Sequence, residues 1–169
     1  MRSDVRKIVL SALMAALTCV ATMIIKIPSP MKGYLNLGDC VVLTAGWMLP
    51  PCWGFLAAGL GSALADLFLG YPVYVPATFL NKGSMAVVAF YGFRLLRKKF
   101  PALPCRIMSG TAAEILMILG YFMFGGFLYG FAGAATNIPG NAVQGIAGLI
   151  IGIVLIKVLE NSKMMVDKG

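Results

Sequence analysis

The chain contains no histidine at all. That absence removes Ser-His and Cys-His catalytic pairs and every histidine metal site. Acidic residues are scarce, six Asp and Glu in 169 residues, and they are not clustered as metal ligands would be. The four cysteines, Cys19, Cys40, Cys52 and Cys105, have no CxxC spacing and read as small apolar packing residues. No glycine-rich phosphate loop ending in Lys and Ser or Thr is present, which excludes nucleotide hydrolysis by that route. The sequence calls for no catalytic residue, no metal and no cofactor.

Charge is also sparse. Charged residues make up 12% of the chain and apolar residues 60%, against about 25% charged in a soluble domain. So few polar groups could not cover a soluble surface. The composition predicts an all-α integral membrane protein, one domain over residues 1–169. The N-terminal apolar run is too long for a signal-peptide core and no AxA-type site follows it, so it reads as a retained first helix.

Apolar segments fall at about residues 5–25, 37–49, 53–69, 77–96, 107–128 and 138–159. A membrane span needs about 20 residues, so the second and third are short. Residues 37–69 are too long for one helix, and Pro50-Pro51 divides them, which predicts two helices with a tight turn or a re-entrant pair. The basic residues bear on this. Arg2, Arg6 and Lys7 precede the first segment. Arg94, Arg97, Lys98, Lys99 and Arg106 lie around the junction of the fourth and fifth, and Lys157, Lys163 and Lys168 close the chain. Only Lys26, Lys32 and Lys82 lie elsewhere. The positive-inside rule places all three clusters in the cytoplasm. That demands an even number of crossings between clusters, and six spans with both termini cytoplasmic satisfy it. The net charge of +8 is then topological, and no nucleic acid partner is needed to explain it. Outer loops at 26–36, 70–76 and 129–137 are rich in Gly, Pro, Tyr and Asn and read as ordered lids.

Apart from the basic clusters at their ends, four ionisable residues fall within the spans: Asp39, Asp66, Lys82 and Glu114. Such groups are costly in a membrane unless paired or wet, and they mark functional sites. Asp66 and Lys82 differ in depth by about 5 Å at the ~1.5 Å rise of a helix, which predicts a structural pair across two helices. Asp39, in LNLGD, reads as a helix-start residue. Glu114 is expected to be protonated, paired or exposed to a cavity. In the last segment Asn137, Asn141, Gln144 and Gly148 recur at i, i+4, i+7 and i+11, one face of a helix. Asn137 is expected to cap it, with Pro139 in the first turn. Asn141 and Gln144 offer uncharged donors and acceptors, suited either to a neutral heteroaromatic ligand or to interhelical packing. Thr78, Asn81 and Lys82 lie at similar depth in the fourth segment, with Tyr71 and Tyr74 in the loop above as weaker candidates. These residues predict a polar pocket in the outer half, roofed by tyrosine-bearing loops. A channel would need polar lining throughout. In the first segment Ala12 and Ala16, and beside them Ser11 and Ala15, are small residues four apart, a spacing that permits close helix contact.

Taken together, Ala12 and Ala16 with YLNLGD (34–39), GSALADL (61–67), GYPVYVPATFLNKG (70–83), AEILM (113–117) and NIPGNAVQG (137–145) resemble the S component of ECF-type (energy-coupling factor) vitamin transporters, in the riboflavin and hydroxymethylpyrimidine-type group. The resemblance spans about residues 6–158. It implies a six-helix protein of the prokaryotic cell membrane that captures one vitamin or vitamin precursor from outside. A separate transmembrane coupling subunit carrying two ATPase subunits would drive release inside. It implies a docking surface at Ala12 and Ala16. It implies a ligand pocket that maps onto Asn81, Lys82, Glu114, Tyr121, Asn141 and Gln144, with Tyr74 and Thr78 beside them. Two other classes remain: a small ion-coupled carrier acting as a dimer, whose matching broken helices are not evident, and a membrane enzyme, for which Ser62 or Glu114 would have to act without histidine or metal.

Overall fold

A computed structural model describes residues 2–25, 27, 28 and 34–162. Lys26, Lys32, Lys163 and Lys168, which enter the charge argument, and the stretch 29–33 of the first expected lid lie outside the described residues. The chain forms helices α1 (Arg2–Ile24), α2 (Gly38–Met48), α3 (Pro51–Phe68), α4 (Val75–Leu96), α5 (Ala102–Tyr129), α6 (Phe131–Ala135) and α7 (Ile138–Asn161). A two-residue antiparallel ladder pairs β1 (Ile27–Pro28) with β2 (Tyr34–Leu35).

The six long or central helices coincide with the six apolar segments, with shifted ends. α1 reaches back to Arg2, α4 starts at Val75, and α5 starts at Ala102 directly after Pro101. The segment at 129–137, expected to be a loop, holds the short α6. Gly130, at φ +86°, ends α5 and turns the chain into it, a conformation that glycine adopts without steric cost. Pro51 occupies the first turn of α3, where its missing N–H is harmless, so the Pro50-Pro51 break is a tight α2–α3 turn.

Helix α2 sits at the centre. Every residue from Gly38 to Met48 is buried, and α2 contacts α1, α3, α4, α5 and α7. Its sequence, GDCVVLTAGWM, has no solvating face, as a helix enclosed on all sides requires. At ~1.5 Å per residue its 11 residues cover about half of a ~30 Å hydrocarbon core. Thr44 returns a 2.6 Å bond to the Cys40 carbonyl, and Trp47 Nε1 donates to Ser109 Oγ at 3.1 Å. The surrounding helices contact one another in the order α1, α3, α4, α5, α7. Their outer faces carry Val9, Leu60, Leu64, Tyr91, Ile115, Leu119, Val143, Ile150 and Val154, all exposed. An apolar exterior of this extent suits lipid and not water. Four stretches are long and apolar enough to cross a membrane: Asp4–Ile24, Pro51–Phe68, Ala102–Tyr129 and Phe131–Asn161.

One end of the bundle is basic. Arg94 lies in the last turn of α4, and Arg106 near the start of α5 pairs with Glu160 near the end of α7. The opposite end gathers β2, the α3–α4 turn, the first turn of α4, the C-terminal part of α5 and the start of α7. That end holds the pocket.

Candidate functional site

The pocket is lined by Tyr34, Asn36, Asp66, Tyr71, Tyr74, Thr78, Tyr121, Gly125, Asn137, Asn141 and Gln144. Five of the eight expected ligand residues are among them: Tyr74, Thr78, Tyr121, Asn141 and Gln144. The other three, Asn81, Lys82 and Glu114, are not. Tyr34, Asn36, Asp66 and Gly125 are additions.

The aromatic side of the pocket is continuous. The Tyr34 and Tyr71 rings stand 5.0 Å apart between centroids, Tyr71 and Tyr74 6.5 Å, and Tyr74 and Phe124 5.5 Å. Burial and the neighbouring Asp66 push the Tyr34 phenol up, and burial with the adjacent Tyr129 does the same for Tyr74. Both phenols therefore stay protonated and able to donate. Tyr34 Oη donates to Asp66 Oδ1 at 2.6 Å. Across the pocket, the Thr78 and Tyr121 hydroxyls share a 3.1 Å bond.

Beside the pocket lies a buried polar network. Gln144 Oε1 accepts the Asn36 backbone N–H at 2.9 Å, and Gln144 Nε2 donates to Asp39 Oδ2 at 2.6 Å. Lys82 Nζ donates to Asp39 Oδ1, and the same ammonium stands 5.5 Å from the centre of the Tyr121 ring, within cation–π reach. Asp39 thus receives one donor on each oxygen, as a fully buried carboxylate needs.

This network corrects two expectations. The expected structural pair of Asp66 with Lys82 is not formed: Lys82 bonds Asp39, and Asp66 bonds Tyr34. The cause is the chain before α2, which enters the bundle at Asn36 and sets Asp39 at the level of Lys82 and of Gln144. Asp39 does lie in the first turn of α2, but it is the hub of the network and not only a helix-start residue. Nor does the Asn137 side chain cap α7, although Asn137 holds the N-cap position.

The remaining expected residues have other surroundings. Asn81 Nδ2 donates to the Met117 carbonyl at 3.1 Å, tying α4 to α5. Glu114 is buried, and neither carboxyl oxygen has a hydrogen-bond partner among the described residues. Gly145 makes room for it, since a Cβ there would stand 3.0 Å from Glu114 Oε2. Ser62 is buried and away from the pocket. On α1, Ala12 and Ala16 are exposed, while Ser11 is buried and Ala15 packs at Gly61 of α3. The exposed pair is therefore available on the bundle surface, and the second pair is consumed in packing.

A bundle with a lipid-compatible exterior and a phenol- and amide-lined pocket at one end is a membrane protein built to hold a small molecule. Residues 2–161 match the family of ECF-type riboflavin transporter S components, and the chain belongs to that family, whose members are transporter components and not enzymes. It is 37% identical over 135 residues to the "Uncharacterized protein in gap 3'region" of Pyrococcus woesei, covering 79% of this chain and 87% of that protein. It is 26% identical over 164 residues to the thiamine precursor transporter HmpT of Lactococcus lactis subsp. cremoris, covering 96% of this chain and 92% of that one. Among solved structures, the S component of a bacterial ECF transporter aligns with a TM-score of 0.70 at 24% identity, covering 94% of this chain and 97% of the other. The S component for biotin from an ECF-type ABC transporter aligns at 0.67 with 18% identity, covering 94% and 93%. These two likenesses establish the shared fold.

Proposed function

We infer that this chain is the substrate-capturing subunit of an ECF-type importer in the cell membrane, taking a small heteroaromatic vitamin or vitamin precursor into the pocket between β2, α3, α4, α5 and α7. The observation that carries this reading is the pocket itself: a wall of tyrosines in contact on one side, uncharged amides from α7 on another, and the Asp39–Lys82–Gln144 network beside it. Aromatic faces with a few placed polar groups are the usual composition of a small-molecule site. The family membership and the HmpT relative support a vitamin-related cargo of riboflavin, hydroxymethylpyrimidine or pyridoxine type.

In this reading α1, α3, α4, α5 and α7 cross the membrane, the short buried α2 completes a sixth crossing together with the chain before and after it, both termini are cytoplasmic, and the pocket faces outward. The basic end around Arg94, Arg97 and Arg106 supports that orientation by the positive-inside rule. Asn141, Gln144, Thr78, Tyr74 and Tyr121 contact the ligand. Lys82 and Asn81 act from behind them by tying α4 to α2 and to α5, and Glu114 packs behind them against Gly145 of α7. The exposed Ala12 and Ala16 face of α1 meets a transmembrane coupling subunit, which carries two ATPase subunits.

The test is direct. The protein is purified in mild detergent and denatured, and released small molecules are identified by mass spectrometry. A stoichiometric B-vitamin or precursor is the expected result. An empty protein that binds nothing from a vitamin panel overturns the reading.

A further inference from the structure

Asp66 is the one charged side chain among the described residues lining the pocket. It is 5% exposed. Its Oδ1 is satisfied by the Tyr34 hydroxyl, but its Oδ2 is buried with no hydrogen-bond partner among the described residues. The Thr78 hydroxyl lies near enough to interact with Asp66 and shares a 3.1 Å bond with Tyr121 in which either oxygen can donate, but it makes no hydrogen bond to Oδ2. The nearby cation, Lys82, is bonded to Asp39 and does not line the pocket. A buried carboxylate oxygen without a donor is costly, and a site of this kind is matched when a ligand brings the donor.

We propose that Asp66 sets the ligand class of this pocket, accepting a hydrogen bond from an amine or ring N–H of a neutral or cationic aromatic heterocycle and rejecting rings that carry a carboxylate or phosphate. The proposal rests on the pocket being the ligand site and deepens that reading. The tyrosines beside Asp66 form an aromatic wall, with Tyr71 5.0 Å from Tyr34 and 6.5 Å from Tyr74. Asn141 adds a neutral amide at the pocket wall. Gln144 already has both ends of its amide bonded, to Asn36 and Asp39, whereas Asp66 Oδ2 has no hydrogen-bond partner among the described residues. An anionic ring would meet Asp66 with no cation among the described residues lining the pocket to offset the repulsion. A donor edge meets an acceptor already buried and held in place by Tyr34.

The experiment measures binding to the full chain in detergent. Two donor-bearing rings are used, riboflavin and an aminopyrimidine carrying a hydroxymethyl group. Each is paired with an analogue stripped of its donor, the N-methylated flavin imide and the des-amino pyrimidine. The aminopyrimidine with its hydroxymethyl oxidised to carboxylate is the anionic probe. Whichever parent binds wild type should be preferred at least about tenfold over its stripped partner, the size of one buried hydrogen bond to a charged group. The carboxylate should bind far more weakly than the parent aminopyrimidine. Asp66→Ala should reduce the donor preference to within about threefold, and Asp66→Asn should narrow the gap between the carboxylate probe and its parent. Donor preference unchanged in Asp66→Ala overturns the proposal, as does wild type binding the carboxylate as tightly as its parent. The wild-type comparisons decide the matter even where a variant fails to fold. Wild type binding a parent and its stripped analogue equally overturns the role of Asp66 and leaves the capture function standing. Wild type binding neither parent nor any other member of a B-vitamin and precursor panel overturns both.

Discussion

The Lys82 ammonium is bonded to the Asp39 carboxylate in the bundle interior, with their side chains 3% and 0% exposed. The pair joins α4 to the start of the central α2, and Gln144 of α7 completes it from the other side at 2.6 Å. Removing one partner of a buried pair strands the other charge, at a cost of about 3–5 kcal/mol. Lys82→Met is therefore expected to destabilise the protein by that order, and the double variant Lys82→Met with Asp39→Asn to recover a large part of the loss. Thermal unfolding in detergent, followed by monodispersity, checks both. A single variant as stable as wild type would contradict the pairing.

Gln144 and Asn141 differ in what they do, although both line the pocket and both lie on one face of α7. Gln144 is buried and bridges the Asn36 backbone to Asp39, so Gln144→Ala removes two bonds of the scaffold as well as part of the pocket wall. It is expected to lower both stability and ligand affinity, each by about 1–3 kcal/mol. Asn141 is half-buried, and Asn141→Ala is expected to weaken binding of the co-purifying ligand by up to about 1–3 kcal/mol with the melting temperature little changed. Calorimetric titration beside a thermal melt separates the two effects. Unchanged affinity in both variants would place the ligand elsewhere.

Helix–helix distance at the centre is set by glycine. A Cβ on Gly46 of α2 would stand 2.6 Å from the Ala86 carbonyl oxygen of α4 and 2.9 Å from its Cα. That neighbour is backbone and cannot swing aside. Gly46→Val is expected to force α2 and α4 apart and destabilise the fold by about 1–3 kcal/mol or more, as overpacking does. Because both helices carry members of the Asp39–Lys82 network, ligand binding should weaken with it. A variant that melts with wild type would show that the α2–α4 contact has room the structure does not contain.

The helices were legible in the sequence because lipid imposes a length and an apolarity that no loop shares. Pro50-Pro51 marked the turn between α2 and α3, and the Asn141–Gln144 face followed from helical periodicity alone. The partner of Lys82 was not legible, because it depends on how deeply the chain enters before α2. Depth counted along straight helices set Asp66 beside Lys82. The backbone at Asn36, bonded to the seventh residue of α7, sets Asp39 there instead. For the same reason the contributions of Tyr34 and Asn36 to the pocket escaped a reading by segments: they lie outside any helix, and only tertiary contact brings them to Asp66 and Gln144. Gly130 could have announced α6, since a glycine after a long apolar helix is a common stop.

Ala12 and Ala16 are exposed on α1 and separated by one turn, on a face about 100° round the helix from the buried Ser11 and from Ala15, which packs at Gly61. Small residues at this spacing let another helix approach to backbone distance, where dispersion and weak polar contacts accumulate. Replacing both with tryptophan fills that approach with two rings while leaving the pocket-lining residues, none of which lies on α1, untouched. The variant Ala12→Trp with Ala16→Trp is therefore expected to bind ligand with wild-type affinity and to lose ATP-driven uptake when reconstituted with the coupling subunit and its ATPases. Uptake is read in proteoliposomes and binding in detergent on the same preparation. Loss of binding would show that the alanine face is part of the fold's own packing, and full uptake would move the docking surface to another helix.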